Sequence, residues 1–495
     1  MAVLNYDELT VAERTLWDSF PTGRWVDLST GTPEDDDPAR GERWGPERTV
    51  RAEVLAALLL GGNTEPSSSV ASLRLAGALI TGRLDLAGAE INHLLWLKAC
   101  RLEQTVSLYA ASTRTVRITN SRVPGVDAGL ARIEGHLDLN GSVMETGRLS
   151  LINAHAAGEL VLNGALISAP GQWAVFAGGL IMGGGVFCQG FTARGGVRLP
   201  GAQLPGGLFM RGARLESPGG MALLADNVTA TVVELSEGFS AVGTLRLRGA
   251  RISDLLTLEG ATLAGRDTAL FGVGMQVGTF DFGLAAEPAG AVDLQGARAT
   301  VLHDRRRSWP RVVRLDGFVY DSLSSDGTFL HEDVAHRLAW IRRSPGYAPQ
   351  PYEQLAACYR QAGHDDDARR VLLEKQRHRR RTLNPPGRVW GYLLDAAVGY
   401  GYRPWLSALW MATLWLLGSL AFSARSPVQT KSGEGAPFNP FVYTLDLLFP
   451  IGDFGQRSAW HWTGSAQWLA YVLITIGWIL TTAVVAGISR TLNRN

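Results

Sequence analysis

Cysteine is scarce: Cys100, Cys188 and Cys358 are the only 3 in 495 residues. That is too few for a disulfide framework, which excludes the small stapled secreted scaffolds and fits a reducing compartment. Neither sign of charge prevails, with 47 Lys and Arg against 46 Asp and Glu, so the chain as a whole is not built to bind nucleic acid. Residues 1–20 place Asp7, Glu8 and Glu13 where an export leader needs a basic start and an apolar core, so no leader is expected. Motifs of catalysis are missing too. There is no Gly-x-x-x-x-Gly-Lys-Ser/Thr, no Gly-x-Ser-x-Gly and no His-Glu-x-x-His, and none of the 9 histidines stands at zinc spacing from a cysteine. Gly272-Val273-Gly274-Met275-Gln276-Val277-Gly278 has one residue too many for a dinucleotide fingerprint. His331, Glu332, Asp333 and His336 read as the first turn of a helix. No catalytic residue, cofactor or metal site is expected.

What is present is a repeat. From Leu73 to about Leu323 the phrase Leu-x-Leu-x-Gly-Ala-x-Leu/Ile returns roughly every eleven residues, as in Leu84-Asp85-Leu86-Ala87-Gly88-Ala89-Glu90-Ile91 and Val292-Asp293-Leu294-Gln295-Gly296-Ala297. Apolar residues at its first and third positions, with polar ones between, write a short strand with one face in and one out. Gly-Ala lets the backbone turn a tight corner. No unit buries its own face, so units must stack, which predicts a mainly β protein, a parallel β-helix with a Leu, Val and Ile core. The phrasing slips near 110–130, 165–180 and 264–290, read as longer corner loops. Cys188 falls at an inward position and Cys100 replaces the Ala of a corner, so both read as small core residues. Arg74, Arg83, Arg198, Arg211, Arg214, Arg246, Arg248 and Arg251 stand at outward positions and make the solenoid face a candidate surface for an unknown cytoplasmic protein or ligand.

Four segments follow. Residues 1–66 form an N-terminal helical cap, with helices expected over Tyr6 to Phe20 and Arg48 to Leu60, the second opened by Pro46. Residues 67–325 are the β-solenoid, and 326–403 a helical linker and interfacial helix. Tyr352 to Arg381 reads as two helices broken at Gly363, like a single tetratricopeptide-like unit. Residues 404–495 are a two-span membrane domain. Trp405 to Ala424 and Trp468 to Ile488 carry no charge and are long enough to cross the hydrocarbon core, which takes roughly twenty helical residues.

The basic cluster Lys375, Arg377, Arg379, Arg380, Arg381 and Arg388 precedes the first span and Arg490 and Arg494 follow the second. By the positive-inside rule both termini are cytoplasmic and the protein sits in the inner, plasma membrane. The same cluster is a candidate contact for anionic lipid, with Val389 to Tyr402 lying along the membrane surface. Between the spans, residues 438–455 are too apolar for an outside loop and too short to cross, as expected of a re-entrant half-helix. In an oligomer Asp446 or Asp453 would form a carboxylate ring, with Gly452 and Thr481 as further pore-lining candidates.

Two resemblances rest on these residues. The order of membrane helix, half-helix, Pro450-Ile451-Gly452-Asp453-Phe454-Gly455 and membrane helix resembles the two-helix pore modules of tetrameric cation channels, without the threonine of a potassium filter. The Gly-Ala repeats, Tyr352 to Arg381, Tyr443 to Gly455 and Gly477 to Gly487 together resemble a group of actinobacterial membrane proteins with a pentapeptide-like solenoid and two C-terminal spans. That resemblance implies a membrane-associated oxidoreductase, for which the sequence supplies no motif. Three functions follow: a membrane-anchored scaffold or sensor, a homo-oligomeric cation pore gated by the solenoid, and the redox enzyme.

Overall fold

In a computed structural model the chain is described over residues 5–492, apart from 64–68, 306, 326–327, 330–333, 403–404, 425, 432–436, 450–451 and 453. It divides into two compact units, Met1–Gly346 and Tyr347–Asn495.

The first unit is a parallel β-solenoid of about 11 turns. Leu73 pairs with Leu95, Leu95 with Val116 and Val186 with Leu208, so the partner of each strand lies two phrases along the chain. The eleven-residue phrase is half a coil. Val186 and Leu208 belong to one sheet, and Val197, midway between them, to the other, where it pairs with Val175 and Leu223. One phrase supplies two short extended sides, a turn between them and a Gly-Ala corner after them, and closing a coil takes two phrases.

The corner dictates the composition. Gly201 and Gly249 turn it at φ +65° and +62°, in the left-handed region where a Cβ meets the following carbonyl. The next residue, Ala202 or Ala250, points inward and is fully buried. At 110–130 the coil is as regular as elsewhere, contrary to the longer loops expected there. Ala110, Asn120 and Leu130 stand in the glycine position with φ of 49° to 59°, which is why the phrase is illegible in that stretch. Loops do interrupt the strands at 169–172, 217–220 and 265–267, where the pairing register shifts. The coil above each gives way to glycine: a Cβ on Gly195 would lie 2.5 Å from the Ala169 carbonyl oxygen, and one on Gly243 2.6 Å from that of Ser217. Cys100 and Cys188 are buried in the core. Burial pushes both thiols up, Cys100 to about 12.

Both ends of the stack are covered. At the N-terminal end α1 (Val11–Ser19) and α2 (Ala52–Leu59) pack around Glu13. The expected helix over 48–60 is shorter, because Thr49–Arg51 pairs as a parallel strand with Leu79–Thr81 and extends the sheet. Glu13 is fully buried and accepts four hydrogen bonds: from the Thr10 amide at 3.0 Å, and from the amide, Nε and Nη2 of Arg51 at 2.9, 2.9 and 2.8 Å. Burial raises its pKa, but the Arg51 guanidinium and the two amides outweigh this and hold it below the ordinary glutamate value. At the other end, α3 (Val334–Ile341) lays Arg337 against Asp304. Two guanidinium bonds of 2.6 and 2.9 Å and one from the Trp309 indole at 2.6 Å satisfy that buried carboxylate. Trp309 and Trp340 pack beside them with ring centres 5.0 Å apart. Residues 334–341, read from sequence as part of the linker, thus belong to the solenoid unit.

The second unit is helical: α4 (Gln350–Gln361), α5 (Asp365–Arg380), α6 (Pro385–Val398), α7 (Trp405–Ser423), α8 (Pro440–Leu448), α9 (Gln456–Ala459) and α10 (Ser465–Leu492). Helices α4 and α5 form the expected pair, with Tyr352, Leu355, Ala356 and Tyr359 facing Ala368, Val371 and Leu372 in a buried seam. Gly363 turns between them at φ +79°. Two helices are long and apolar enough to cross a membrane, α7 and residues Ser465–Thr482 of α10.

Three changes test this account. Removing the Arg337 guanidinium (Arg337→Met) leaves Asp304 a buried charge without its ionic partner and is expected to cost about 3–5 kcal/mol in denaturant unfolding. Leu130→Gly relieves a left-handed corner and is expected to stabilise by about 1 kcal/mol. Glu13→Gln is expected to destabilise at neutral pH. Because the folded pKa is depressed, the native carboxylate contributes its stability above the unfolded value near 4.5 and loses it as pH falls through the folded one. The gap between wild type and variant in urea unfolding therefore closes in acid; a gap independent of pH would refute the charged role.

Candidate functional site in the helical unit

Of the residues predicted to line a pore, Asp446 lies on α8. Asn439 opens this helix: its side-chain oxygen accepts from the amides of Phe441 and Val442 at 3.0 and 3.3 Å, and Pro440 takes the first turn. Two glycines let the long helices close on it. On α7, a Cβ at Gly418 would lie 2.6 Å from the Thr444 methyl; on α10, one at Gly477 would lie 2.4 Å from the Leu448 carbonyl oxygen. The Trp415 indole of α7 donates to the Phe441 carbonyl at 2.9 Å. Tyr443, Leu447 and Leu448 of α8 join Phe422, Trp462, Ala466, Ala470 and Leu473 in one buried cluster.

Asp446 does not face water. It is buried at 1% exposure and accepts from the amides of Phe454 at 3.1 Å and Arg457 at 2.7 Å. Its carboxylate holds the returning chain and the first turn of α9, where an anion suits the unpaired amides. Gln456 ties the same loop from the other side, donating to the Pro437 carbonyl at 3.0 Å and accepting from the Asn439 amide at 3.3 Å. Asp453 lies outside the described residues. Gly452 is exposed, and Thr481 is half-buried with a shielded hydroxyl that has no partner among the described residues. Asp446 bonds neither of them. Reasoning from sequence missed Gln456 and Gly418; the start of α8 could have been read from Asn439-Pro440, a cap followed by a first-turn proline.

The basic cluster divides into two sets. Lys375 pairs with Glu353, Arg377 with Glu374 at 2.8 Å and Asp395 at 3.0 Å, and Arg380 with Asp395 at 3.1 Å. Arg380 also lies over the Tyr392 ring, 3.8 Å from its centre. These three fasten α5 to α4 and α6. Arg388 donates to the carbonyls of Leu383 and Arg381 at 2.7 and 3.2 Å, caps the end of α5, and has no carboxylate partner among the described residues. Arg379 and Arg381 are exposed and make no ion pair there either. Next to them α6 exposes Val389, Trp390, Tyr392 and Leu393.

The outward arginines of the solenoid are not gathered on one face. Arg198 and Arg246 share one column, Arg214 stands in a second and Arg251 in a third. Arg211 and Arg246 are neutralised by Glu234 and Asp226. Among the described residues no group of three or more His, Cys, Asp or Glu is placed to hold a metal ion. The chain matches no protein-family model, no curated protein and no solved structure.

Asp446→Ala removes the acceptor of two part-buried amides and is expected to lower the stability of the detergent-solubilised protein by about 1–3 kcal/mol in all. Asp446→Asn, which keeps an acceptor, is expected to lose less. Equal thermal unfolding for both variants and wild type would overturn the anchoring role.

Proposed function

We propose that this chain is a membrane-anchored scaffold, held in a bilayer by α7 and α10 and offering its solenoid to a partner. The observation carrying the reading is the exposure of large apolar side chains along both helices: Leu420 is 70% exposed and Trp468 71%, with Leu416, Leu417, Tyr471, Val472 and Ile479 beyond half or at it. A water-facing surface of that kind is unfavourable at roughly 25 cal/mol per Å² of apolar area, whereas lipid removes the cost. Exposed Arg379, Arg381 and Arg388 beside Trp390, Tyr392 and Leu393 suit an anionic interface: cations meet the headgroups while the rings settle at their level. The flanking charges favour both termini in the cytoplasm of the inner membrane. The solenoid, which stacks short strands into long lateral faces, is the part suited to a protein or ligand.

A second reading has one observation in its favour. A short helix clasped between two long apolar helices through Gly418 and Gly477 is the layout of a pore module, and a homo-oligomer would bring four such units around an axis. In that reading the ring carboxylate would be Asp453, since Asp446 is occupied by backbone amides. Cation flux through liposomes carrying the protein, abolished by Asp453→Asn at equal insertion, would favour it over the scaffold.

For the anchor, the chain is expected to stay in the membrane pellet through alkaline carbonate and high salt. A cysteine at Ser426, between the spans, is expected to react in intact cells with an impermeant maleimide, while one at Asn5 reacts only after lysis. Release by carbonate would refute the anchor; the opposite labelling pattern would invert the topology.

A further inference from the structure

The sheet column through Gln203, Thr229, Arg251, Gln276 and Arg298 puts these residues on successive coils, in that order. The neighbouring residues Leu204, Ala230, Ile252, Val277 and Ala299 point into the core or toward it, so the column faces out. Beside it stand Thr231, Ser253, Gly278 and Thr300, with register shifts at the first two of these. Together the two rows line an open trough of about 600 Å³ that spans successive coils.

Its lining has three properties. No Asp or Glu belongs to it, although the solenoid elsewhere neutralises outward arginines across coils, as in Arg117 with Asp138, Arg246 with Asp226 and Arg314 with Asp293. The guanidinium groups of Arg251 and Arg298 have no ion pair or hydrogen bond among the described residues. Thr229, Ser253, Gln276 and Thr300 likewise have free hydroxyl and amide groups there. No aromatic side chain lines the trough, so a nucleic-acid base would find no face to stack on.

We propose that the trough binds an acidic peptide segment in the extended polyproline II conformation, with carboxylates three residues apart. The spacing carries the choice. Arg251 and Arg298 are two coils apart, about 10 Å at the usual distance between neighbouring strands. A polyproline II chain repeats every third residue and rises about 9 Å over those three, so carboxylates at i and i+3 share one side and meet the two guanidinium groups in register. A fully extended strand presents one side every second residue, about 7 Å apart, and falls out of step. Polyproline II also leaves its own amides and carbonyls without internal partners, and the hydroxyls and amides between the arginines are placed to take them up. Charged pairs of the guanidinium and carboxylate kind set the register.

This deepens the scaffold reading by naming the chemistry of its partner, and it rests on that reading's assignment of binding to the solenoid, not on the anchor. The test uses the full chain in detergent and a fluorescent peptide of about nine residues repeating glutamate, proline and serine, followed by anisotropy. Saturable binding is expected, weakened at least about fivefold by Arg251→Ala or Arg298→Ala and more than about tenfold by both. Arg214→Ala, in another column, is expected to leave it unchanged. A peptide of equal charge with glutamate at every second residue is expected to bind several-fold more weakly. The proposal is overturned if no binding occurs, if the respaced peptide binds equally, if the double variant binds as wild type does, or if only an acidic oligosaccharide or oligonucleotide is retained. Membrane retention in carbonate, measured on the same variants, separates a failure of the trough from a failure of the anchor.

Discussion

A coil that returns upon itself every two phrases has to change direction where a side chain costs most, and that corner governs the solenoid unit. The left-handed backbone at Gly201 and Gly249 carries the strand over the edge while the following Ala202 or Ala250 plugs the inside of the bend. Glycine supplies the dihedral without a Cβ clash and alanine fills a space too small for leucine. Every inward Leu, Val and Ile is then placed by the corner before it, directly above its counterpart in the neighbouring coil, and stability accumulates as a sum of neighbour contacts. Asparagine at Asn120, Asn153 and Asn227 is the tolerated substitute, as its short polar side chain visits the left-handed region readily. Leu130 and Glu237 are the costly ones, held there by the coils on either side.

The architecture was therefore legible wherever the corner kept its glycine. The parallel solenoid, its Leu ladder and the burial of Cys100 and Cys188 follow from spacing alone. Where Ala110, Asn120 and Leu130 replace glycine the phrase vanishes although the coil does not, because the backbone conformation is imposed by stacking and leaves no local trace. The extension of the sheet by Thr49–Arg51 was hidden for a related reason. Its partner Leu79–Thr81 is remote in sequence, and a three-residue strand beside a helix has no periodicity of its own to announce it. That the coil holds two phrases could not be read from a repeat that looks the same on both sheets.

In the helical unit the same limit applies to charge. Asp446 reads as a solitary acid in an apolar run, and either a pore or open water would suit it by composition. What decides its environment is the return of the chain at Phe454 and Arg457, eight and eleven residues later, which delivers two amides to a carboxylate that would otherwise be unaffordable in a buried position. The helix pair α4 and α5 was legible to the residue at Gly363, since its face and its acidic first turn are local signals. The division of the basic cluster was not: Glu374 within α5 offers Arg377 one partner, but the contact that fastens Arg377 and Arg380 across helices depends on where Asp395 falls when α6 folds back.

Paired and unpaired charge is thus the feature that separates structure from function in this protein. Arg377, Arg380, Arg337 and Arg51 each meet a carboxylate in a shielded place and hold two elements together. Such contacts would be lost to a ligand only at the cost of the fold. Arg379, Arg381 and Arg388 on the helical unit, and Arg251 and Arg298 on the solenoid, have no carboxylate partner among the described residues. Arg388 also caps α5 through two carbonyls; the other four guanidinium groups contribute little to stability, so removing one of them leaves the fold intact, and any effect on association is then an effect on recognition. The two sets also differ in their neighbours. Indole and phenol rings beside the first suit a boundary between water and hydrocarbon, while hydroxyls and amides beside the second, on coils of fixed separation, suit a polymer whose charges repeat at that same interval.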